Sequence, residues 1–174
     1  QSKIAFQNEY WEIEQIYRLW WQYYNFIGDT EKMKKYSNKS IDLLESIEEK
    51  YEEDYVDIAS NYSNLGIAYD IENKLEKAKN AYLKSIEMFE KLLHIDGVEQ
   101  SLASSYSNLS YLHVNLNDYD NALRCIEKAL RLDRKNNNLI SEVKDLDNKA
   151  FILFESGDHT GALEVINNAI TLSK

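Results

Sequence analysis

Asparagine and serine recur at matching places along the chain. The phrase Tyr-Ser-Asn-Leu occurs twice, with Asn64 and Asn108 44 residues apart, and Asn148 follows 40 residues later in a fainter copy near the end of the chain. An asparagine amide carries both a hydrogen-bond donor and an acceptor. A row of such amides therefore suits pairing with the backbone of an extended peptide, whatever the sequence of that peptide.

Residues arranged for catalysis or metal binding are not recognisable in the sequence. The phosphate-binding, dinucleotide-binding, zinc-protease and serine-hydrolase motifs are all absent. His113 lies at an apolar position of a helical pattern, which favours a buried histidine, and His94 and His159 do not complete a metal site with it. Cys125 has no histidine at motif spacing, which favours a structural thiol. We therefore predict a protein that is not an enzyme, with no metal and no cofactor.

Charge and composition restrict the class of partner. The chain has 174 residues, a formal net charge of -10 and no proline, which fits a chain that is nearly all helix. Eight acidic residues and one lysine, Lys50, lie between Asp42 and Asp57. This argues against nucleic-acid binding, which needs clustered lysine and arginine. The run permits a basic partner, although a solvated helix face followed by a loop is the simpler interpretation.

The sequence also suggests a compartment. No apolar run approaches the roughly 20 residues that span a membrane, and the single Cys125 excludes an internal disulfide and fits a reducing compartment. We therefore expect a cytoplasmic protein without membrane contact. Because the chain starts with Gln1 rather than methionine, we expect it to be a piece of a longer protein.

Four copies of one pattern divide the chain. Each copy has two apolar stripes with helical spacing, separated by a short polar turn such as Ile27–Thr30 or Ser156–Thr160. Glycine in these two turns suits a helix C-terminus, and the Asp or Thr that follows can cap the next helix. We predict helix-turn-helix units that start near residues 14, 59, 103 and 143 in a single array over 1–174, with residues 1–13 extending the first helix.

Copy two resembles the tetratricopeptide repeat: it has Tyr62, Leu65-Gly66, Tyr69, Ala78 and Tyr82 at the signature positions. The copies lack the closing proline of that family and run 40–45 residues. They are similar in length to the repeats of kinesin light chains and of bacterial peptide receptors.

The resemblance implies an all-α fold, a right-handed superhelical solenoid of helix-turn-helix repeats. Each helix pair would bury its apolar face on the next pair. The residues expected to be buried for this reason are Tyr62, Leu65, Tyr69, Ala78, Tyr106, Leu109, Leu112, Ala122 and Ala162.

In that family the first helix of each repeat lines a concave groove that holds peptides. The residues that the resemblance places in this groove are Ser60, Ser63, Asn64, Ile67, Ser104, Ser107, Asn108, Tyr111, Lys144, Asp147, Asn148 and Phe151. Asn64, Asn108 and Asn148 would form a ladder of free amides, while Ile67, Tyr111 and Phe151 would add apolar contacts. The alternative is a polar helix face that packs internally or meets water.

Two further regions leave alternatives open. Six aromatic residues between Tyr17 and Phe26 cannot all face the core, so they are covered by preceding chain or form a contact site. At the other end, Ile166, Ile170 and Leu172 predict an open apolar face that self-associates or is continued by further helices.

These observations predict a non-catalytic module that binds a peptide or protein segment in its groove. The alternative is the sensory or autoregulatory arm of a larger signalling protein. An adaptor would bind a partner in trans, whereas a sensor arm would dock on its parent protein or on a small signal peptide.

Overall fold

This computed structural model describes residues 2–173 and the side chains of residues 9–173. Within that part of the chain the secondary structure is all α, with no strand, which confirms the predicted fold class. The helices are α1 (Ser2–Ile27), α2 (Thr30–Glu45), α3 (Glu52–Ile71), α4 (Leu75–Lys91), α5 (Val98–Asn115), α6 (Tyr119–Lys135), α7 (Leu139–Glu155) and α8 (His159–Leu172).

The first helices of the repeats begin earlier than the sequence pattern suggests. Helix α3 starts at Glu52 rather than near residue 59, and α5 starts at Val98 rather than near residue 103. The first turn of α3 is Glu52-Glu53-Asp54, and these carboxylates favour the positive end of the helix dipole. Part of the acidic run therefore stabilises a helix N-terminus. The extra length of the repeats lies largely in long first helices.

Short turns join the two helices of each pair. Gly28 and Gly157 have φ values of 75° and 91°, and the Asp29 and Asp158 side chains cap the following helices through hydrogen bonds of 3.1 and 2.9 Å to backbone N–H groups. These two glycine turns and their aspartate caps are as predicted. Asn73 and Asn117 hold the left-handed position in the turns of the other two pairs, because asparagine tolerates positive φ better than other non-glycine residues. Between pairs, Gly97 and Asn137 are also left-handed.

The chain divides into two compact units, Gln1–Met88 and Phe89–Lys174. In the first unit α1 packs on α2 and α2 packs on α3. Trp21 is buried there with Met33 and Ala68, although it occupies the repeat position that holds glycine in copy two. In copy one a large ring therefore fills the space between helices that approach each other closely in copy two.

Tyrosines of the first unit depart from the predicted core. Tyr62 and Tyr69 are only half-buried, at the edge of a cluster formed by Ile41, Leu65 and Ala81. The Lys84 ammonium lies 3.9 Å from the centre of the Tyr62 ring, and a half-exposed ring permits this cation–π contact. Burial of the other residues of the predicted set is confirmed.

In the second unit α5 packs on α6, α6 on α7, and α7 on α8. Ala122 has no exposed surface and lies with Val114, Ile126 and Ile152 where these helices meet. A second cluster contains Leu130, Leu146 and Ala169. The buried Ala122 and Ala169 thus let the backbones of neighbouring helices approach.

Large apolar side chains remain exposed on both units. Trp20, Tyr23 and Phe26 are exposed on α1, and Trp20 stacks with Tyr24 and Tyr36 at centroid distances of 5.6 and 5.9 Å. On α8 the exposed side chains are Leu163, Ile166, Ile170 and Leu172. Self-association through α8 stays a prediction. None of the helices in the described residues combines the length and apolar character that a bilayer crossing needs.

The close approach at Gly66 can be tested by adding one methyl group. A Cβ atom at Gly66 would lie 2.5 Å from two atoms of the buried Tyr82 ring. We expect Gly66→Ala to lower the free energy of unfolding by roughly 1–3 kcal/mol, because the ring or the backbone must shift. Urea denaturation measures this.

The matched control is Ser110→Ala, at the corresponding position of the next repeat. Ser110 already has a Cβ atom, so the change removes only its hydrogen bond to the Ser107 carbonyl. We expect a loss below about 1 kcal/mol. A Gly66→Ala protein as stable as wild type would contradict the close packing of α3 on Tyr82.

Candidate functional site

A small polar cavity lies between α5, α6 and α7 of the second unit. Its volume is about 40 Å³. The residues around it are Ser104, Ser107, Asn108, Asp133, Ser141, Lys144 and Asp145. Four of these seven, on α5 and α7, are residues that the sequence placed in a binding groove. The structure adds Asp133, Ser141 and Asp145 to them.

The turn between α6 and α7 places the two aspartates beside each other. Asn137 adopts a left-handed conformation, and the Asn138 backbone N–H donates to the Asp133 carbonyl at 2.9 Å. The Asn138 side chain then caps α7 by accepting from the Ser141 N–H at 3.2 Å. The last turn of α6 and the first turns of α7 therefore face the same cavity, with Asp133 and Asp145 on its walls.

Asp145 is tied to α5 by hydrogen bonds. The Ser107 hydroxyl donates to Asp145 Oδ1 at 2.8 Å, and Asn148 Nδ2 lies 3.1 Å from Ser107 Oγ and 3.4 Å from Asp145 Oδ1. Both Ser107 and Asp145 are buried. The expected free amide is therefore wrong for Asn148, since its nitrogen is used inside the repeat junction.

Asp133 is a buried polar group of the cavity with one unsatisfied oxygen. It is 1% exposed, and its Oδ2 accepts no hydrogen bond from the described residues. Burial, followed by the negative charge of Asp145, raises the pKa of Asp133 to about 6. Burial also raises the pKa of Asp145, which Ser107 partly offsets. The carboxyls of Asp133 and Asp145 are close enough for a hydrogen bond, but only if one of them is protonated.

Asn108 and two aromatic rings present the groups best suited to an external ligand. Asn108 is half-exposed, and no internal partner of its side chain is found in the described part of the chain. The rings of Tyr111 and Phe151 stack at a centroid distance of 6.3 Å with an interplanar angle of 21°. Tyr111 is 51% and Phe151 43% exposed. A free amide and an exposed stacked pair therefore occupy α5 and α7 of one unit.

The candidate residues of the first unit form a different surface. Ser60 donates to the Val56 carbonyl at 2.9 Å, and Ile67 packs against the Trp21 cluster, so neither is simply exposed for binding. Ser63 and Asn64 are half-buried.

The last candidate residue of the second unit, Asp147 on α7, is exposed.

Sequence reasoning missed a second buried polar network, in the first unit. Asn61 Nδ2 donates to Ser40 Oγ at 2.8 Å, and the Ser40 hydroxyl lies 3.5 Å from Glu14 Oε1. Glu14 is 3% exposed. Burial and the negative charge of Asp57 raise the pKa of Glu14 to about 7. The signal in the sequence was a polar residue on an otherwise apolar stripe, which is ambiguous without the fold.

Two segments of the chain, residues 59–92 and 103–136, match the family model of the tetratricopeptide repeat. The resemblance to tetratricopeptide repeats is confirmed. The comparison with curated protein sequences finds no match.

Solved structures share the fold of these tetratricopeptide repeats at low sequence identity. The chain is similar to BtubC (BKLC) from P. vanneervenii, with a TM-score of 0.75, 21% identity, and coverage of 92% of this chain and 63% of that one. It is similar to the Rap conjugation gene regulator of the plasmid pLS20 in complex with the Phr* peptide, with a TM-score of 0.71, 17% identity, and coverage of 87% and 40%. It is also similar to a putative kinesin light chain with TPR-like repeats from Podosopora anserina, with a TM-score of 0.69, 12% identity, and coverage of 92% of this chain and 73% of that one. The chain thus spans less than two-thirds of the first two.

Histidine and cysteine contribute to packing in the tetratricopeptide repeats. His113 is buried, and its Nδ1 lies 3.0 Å from Asp118 Oδ2, so the interpretation as a buried histidine is confirmed. A hydrogen bond from Asn121 lowers the pKa of Asp118, which also caps α6. Burial raises the pKa of the Cys125 thiol. No group of three or more metal-binding side chains is found among the described residues.

Asp133 should make stability depend on pH. Because its pKa is raised from 3.8 to about 6, the folded protein holds this proton more tightly than the unfolded chain, and stability is lost as pH rises through 6. Asp133→Asn should remove this loss and be more stable than wild type at pH 7 by about 1–3 kcal/mol. Urea titrations at pH 4.5 and pH 7 measure both proteins.

Asp120→Asn is the control, because Asp120 is an exposed carboxylate on the same helix. It changes the net charge equally and should keep the wild-type pH profile. If Asp133→Asn and wild type lose the same stability between the two pH values, Asp133 is not the buried acid described above.

Proposed function

We propose that the chain binds an extended peptide or protein segment on the α5–α7 face of its second unit, without catalysing a reaction. One observation carries the proposal: the free amide of Asn108 lies on α5 with the exposed Tyr111, which stacks on Phe151 of α7. The tetratricopeptide repeats support a protein-interaction module in general. A solved structure of similar fold contains the Phr* peptide, which supports a peptide as the kind of ligand.

The chemistry of this face suits a peptide backbone. The Asn108 amide can donate to a peptide carbonyl and accept from a peptide N–H at the same residue. Tyr111 and Phe151 offer apolar area with few rotatable bonds, so little conformational entropy is lost when they become buried. In this proposal the amide fixes the backbone direction and the rings supply most of the binding free energy.

The roles of the remaining candidate residues follow from their contacts. Ser107 and Asn148 hold Asp145 and act as positioning residues, while Ser104, Lys144 and Asp147 stand exposed and are available to ligand side chains. In the first unit, Asn64 is the candidate with no internal partner among the described residues. We propose that Asn64 offers a separate backbone contact on the first unit, with Ser60, Ser63 and Ile67 supporting its helix.

A sensory or autoregulatory role is the second candidate. It is favoured by the likeness to the Rap regulator, of which this chain spans 40%. In that role the same face would bind a signal peptide or a segment of the parent protein. We place the binding in the cytoplasm, since the lone Cys125 suits a reducing compartment.

Binding can be tested with a random heptapeptide library displayed on phage and selected on the wild-type chain. Synthetic peptides from that selection are then titrated by fluorescence polarisation. Asn108→Ala should weaken binding by roughly 1–2 kcal/mol, because peptide groups are left buried without a partner. Tyr111→Ala and Phe151→Ala should cost about 2 kcal/mol or more as anchor residues.

Asn168→Ala, an exposed asparagine on α8, is the matched control and should bind as wild type. Unfolding curves check that each variant stays folded, since a surface substitution shifts stability by less than about 0.5 kcal/mol. Equal affinities for wild type, Asn108→Ala and Tyr111→Ala would falsify the proposed face.

A further inference from the structure

The cavity between α5, α6 and α7 contains a buried carboxylate oxygen without a donor. Asp133 Oδ2 is inaccessible to solvent, and no N–H or O–H group in the described residues donates to it. Asp145 lines the same cavity within hydrogen-bond distance of Asp133, and one of its oxygens accepts from the Ser107 hydroxyl. Buried acceptors are almost always satisfied. A proton shared with Asp145 compensates Asp133 at low pH, but once both carboxyls are ionised this buried oxygen has no donor in the described part of the chain.

Among the described residues that line the cavity, Lys144 is the one basic side chain, against the two carboxyls of Asp133 and Asp145. Glu142, on α7, adds to the negative potential at Asp133, and Arg134 on α6 is engaged by Glu142 at 2.6 Å. Lys144 is exposed at the cavity edge, where its charge lowers the pKa of both carboxyls. The cavity-lining residues of α5, which are Ser104, Ser107 and Asn108, are neutral. The field inside the cavity therefore favours a cation.

We propose that this cavity is a subsite for a primary ammonium group, the end of a lysine side chain in the bound peptide. The inference rests on the proposed peptide-binding function and adds to it the class of side chain that the peptide carries. An ammonium has three N–H donors, and the Asp133 carboxylate, the Asp145 carboxylate and the free Asn108 amide oxygen can each accept one. The neighbouring Tyr111 and Phe151 rings would contact the rest of the peptide.

The size and composition of the cavity select among cations. Its volume of about 40 Å³ compares with the roughly 10–15 Å³ that a single water needs on the same measure, so it holds an ammonium and the adjoining methylene groups. A guanidinium is planar, larger and carries five donors, which this space does not match. A divalent metal is disfavoured because the cavity offers two carboxylates and the described residues contain no three-ligand cluster.

Ammonium binding should be linked to proton release. In the free protein Asp133 has a pKa of about 6, so it is largely protonated at pH 5 and ionised at pH 7. A bound cation favours the ionised form, which lowers that pKa and couples binding to loss of the proton. Affinity should therefore rise about tenfold from pH 5 to pH 7, the value for one linked proton with this pKa.

The first experiment uses n-butylammonium chloride as the probe on the full chain. The carbon chemical shifts of the Asp133 and Asp145 carboxyl groups are followed by NMR during titration at pH 5 and pH 7. We expect a saturable shift that is about tenfold weaker in affinity at pH 5. Tetramethylammonium, which has the same charge and no N–H group, should give no saturable shift.

Matched variants separate the subsite from general acidity. Asp133→Asn should weaken n-butylammonium binding at least tenfold, followed at the Asp145 carboxyl carbon, while Asp120→Asn on the same helix should bind as wild type. Ser107→Ala is a second variant, in case Asp133→Asn perturbs the fold. It removes the hydrogen bond to Asp145 Oδ1, and it should shift the pH midpoint of n-butylammonium binding. Equal shifts from both cations, or full affinity in Asp133→Asn, would overturn the proposal.

A second experiment distinguishes this inference from the proposed function. Each selected heptapeptide is compared with versions in which lysine is replaced by norleucine or by arginine. The subsite predicts a loss of at least tenfold for norleucine and a smaller affinity for arginine. Peptides that bind through Asn108 and Tyr111 but tolerate norleucine would refute the subsite alone. Asp133-dependent binding of n-butylammonium, without any effect of Tyr111→Ala or Phe151→Ala on peptides, would support the subsite and refute the proposed face, because neither ring lines the cavity.

Discussion

The close approach of helices at small residues is the constraint on which the second unit depends. Ala122, with no exposed surface, lets α5, α6 and α7 meet around Val114, Ile126 and Ile152. A helical hairpin cannot bury its apolar residues alone, so this contact is where the apolar surface of each pair leaves water. The same contact sets the distances among the polar residues at the far ends of α6 and α7. The apolar contact around Ala122 therefore fixes the geometry of the polar cavity.

Buried polar groups at the junctions between hairpins cost stability and restrict the packing at the same time. Ser107 and Asp145 join α5 to α7 in one unit, and Asn61 and Ser40 join α3 to α2 in the other. Each hydrogen bond forms only if the helices adopt one register, since a shift of a single residue would leave a buried acceptor unpaired. The apolar contacts would tolerate such a shift better. Polar junctions of this kind define the register of stacked repeats.

The features that could be predicted from the sequence are those set by local rules. The helical stripes, the Gly28 and Gly157 turns and the aspartate caps depend on residues within a few positions of each other, and they match the structure. The burial of Asp133 could not be predicted in this way. It lies near the end of a helix among charged and polar residues, where exposure is the usual outcome, and the packing of α5 and α7 around α6 encloses it. Tyr62 shows the opposite error, because this expected core ring lies half-buried at the edge of its cluster, where Lys84 of the next helix contacts it.

The contacts described here join helices that are near neighbours along the chain. Such a topology has a low contact order, and proteins of this kind fold in microseconds to milliseconds because few long loops must close first. During synthesis at about 5–20 residues per second, a completed hairpin waits roughly 2–9 seconds for the next 40–45 residues of repeat to be made. The wait for the next hairpin is therefore far longer than the folding time, and during that wait the apolar face of the completed hairpin stays exposed on the ribosome. The polar side chains at the repeat junctions interrupt that face and reduce the apolar surface available to other nascent chains.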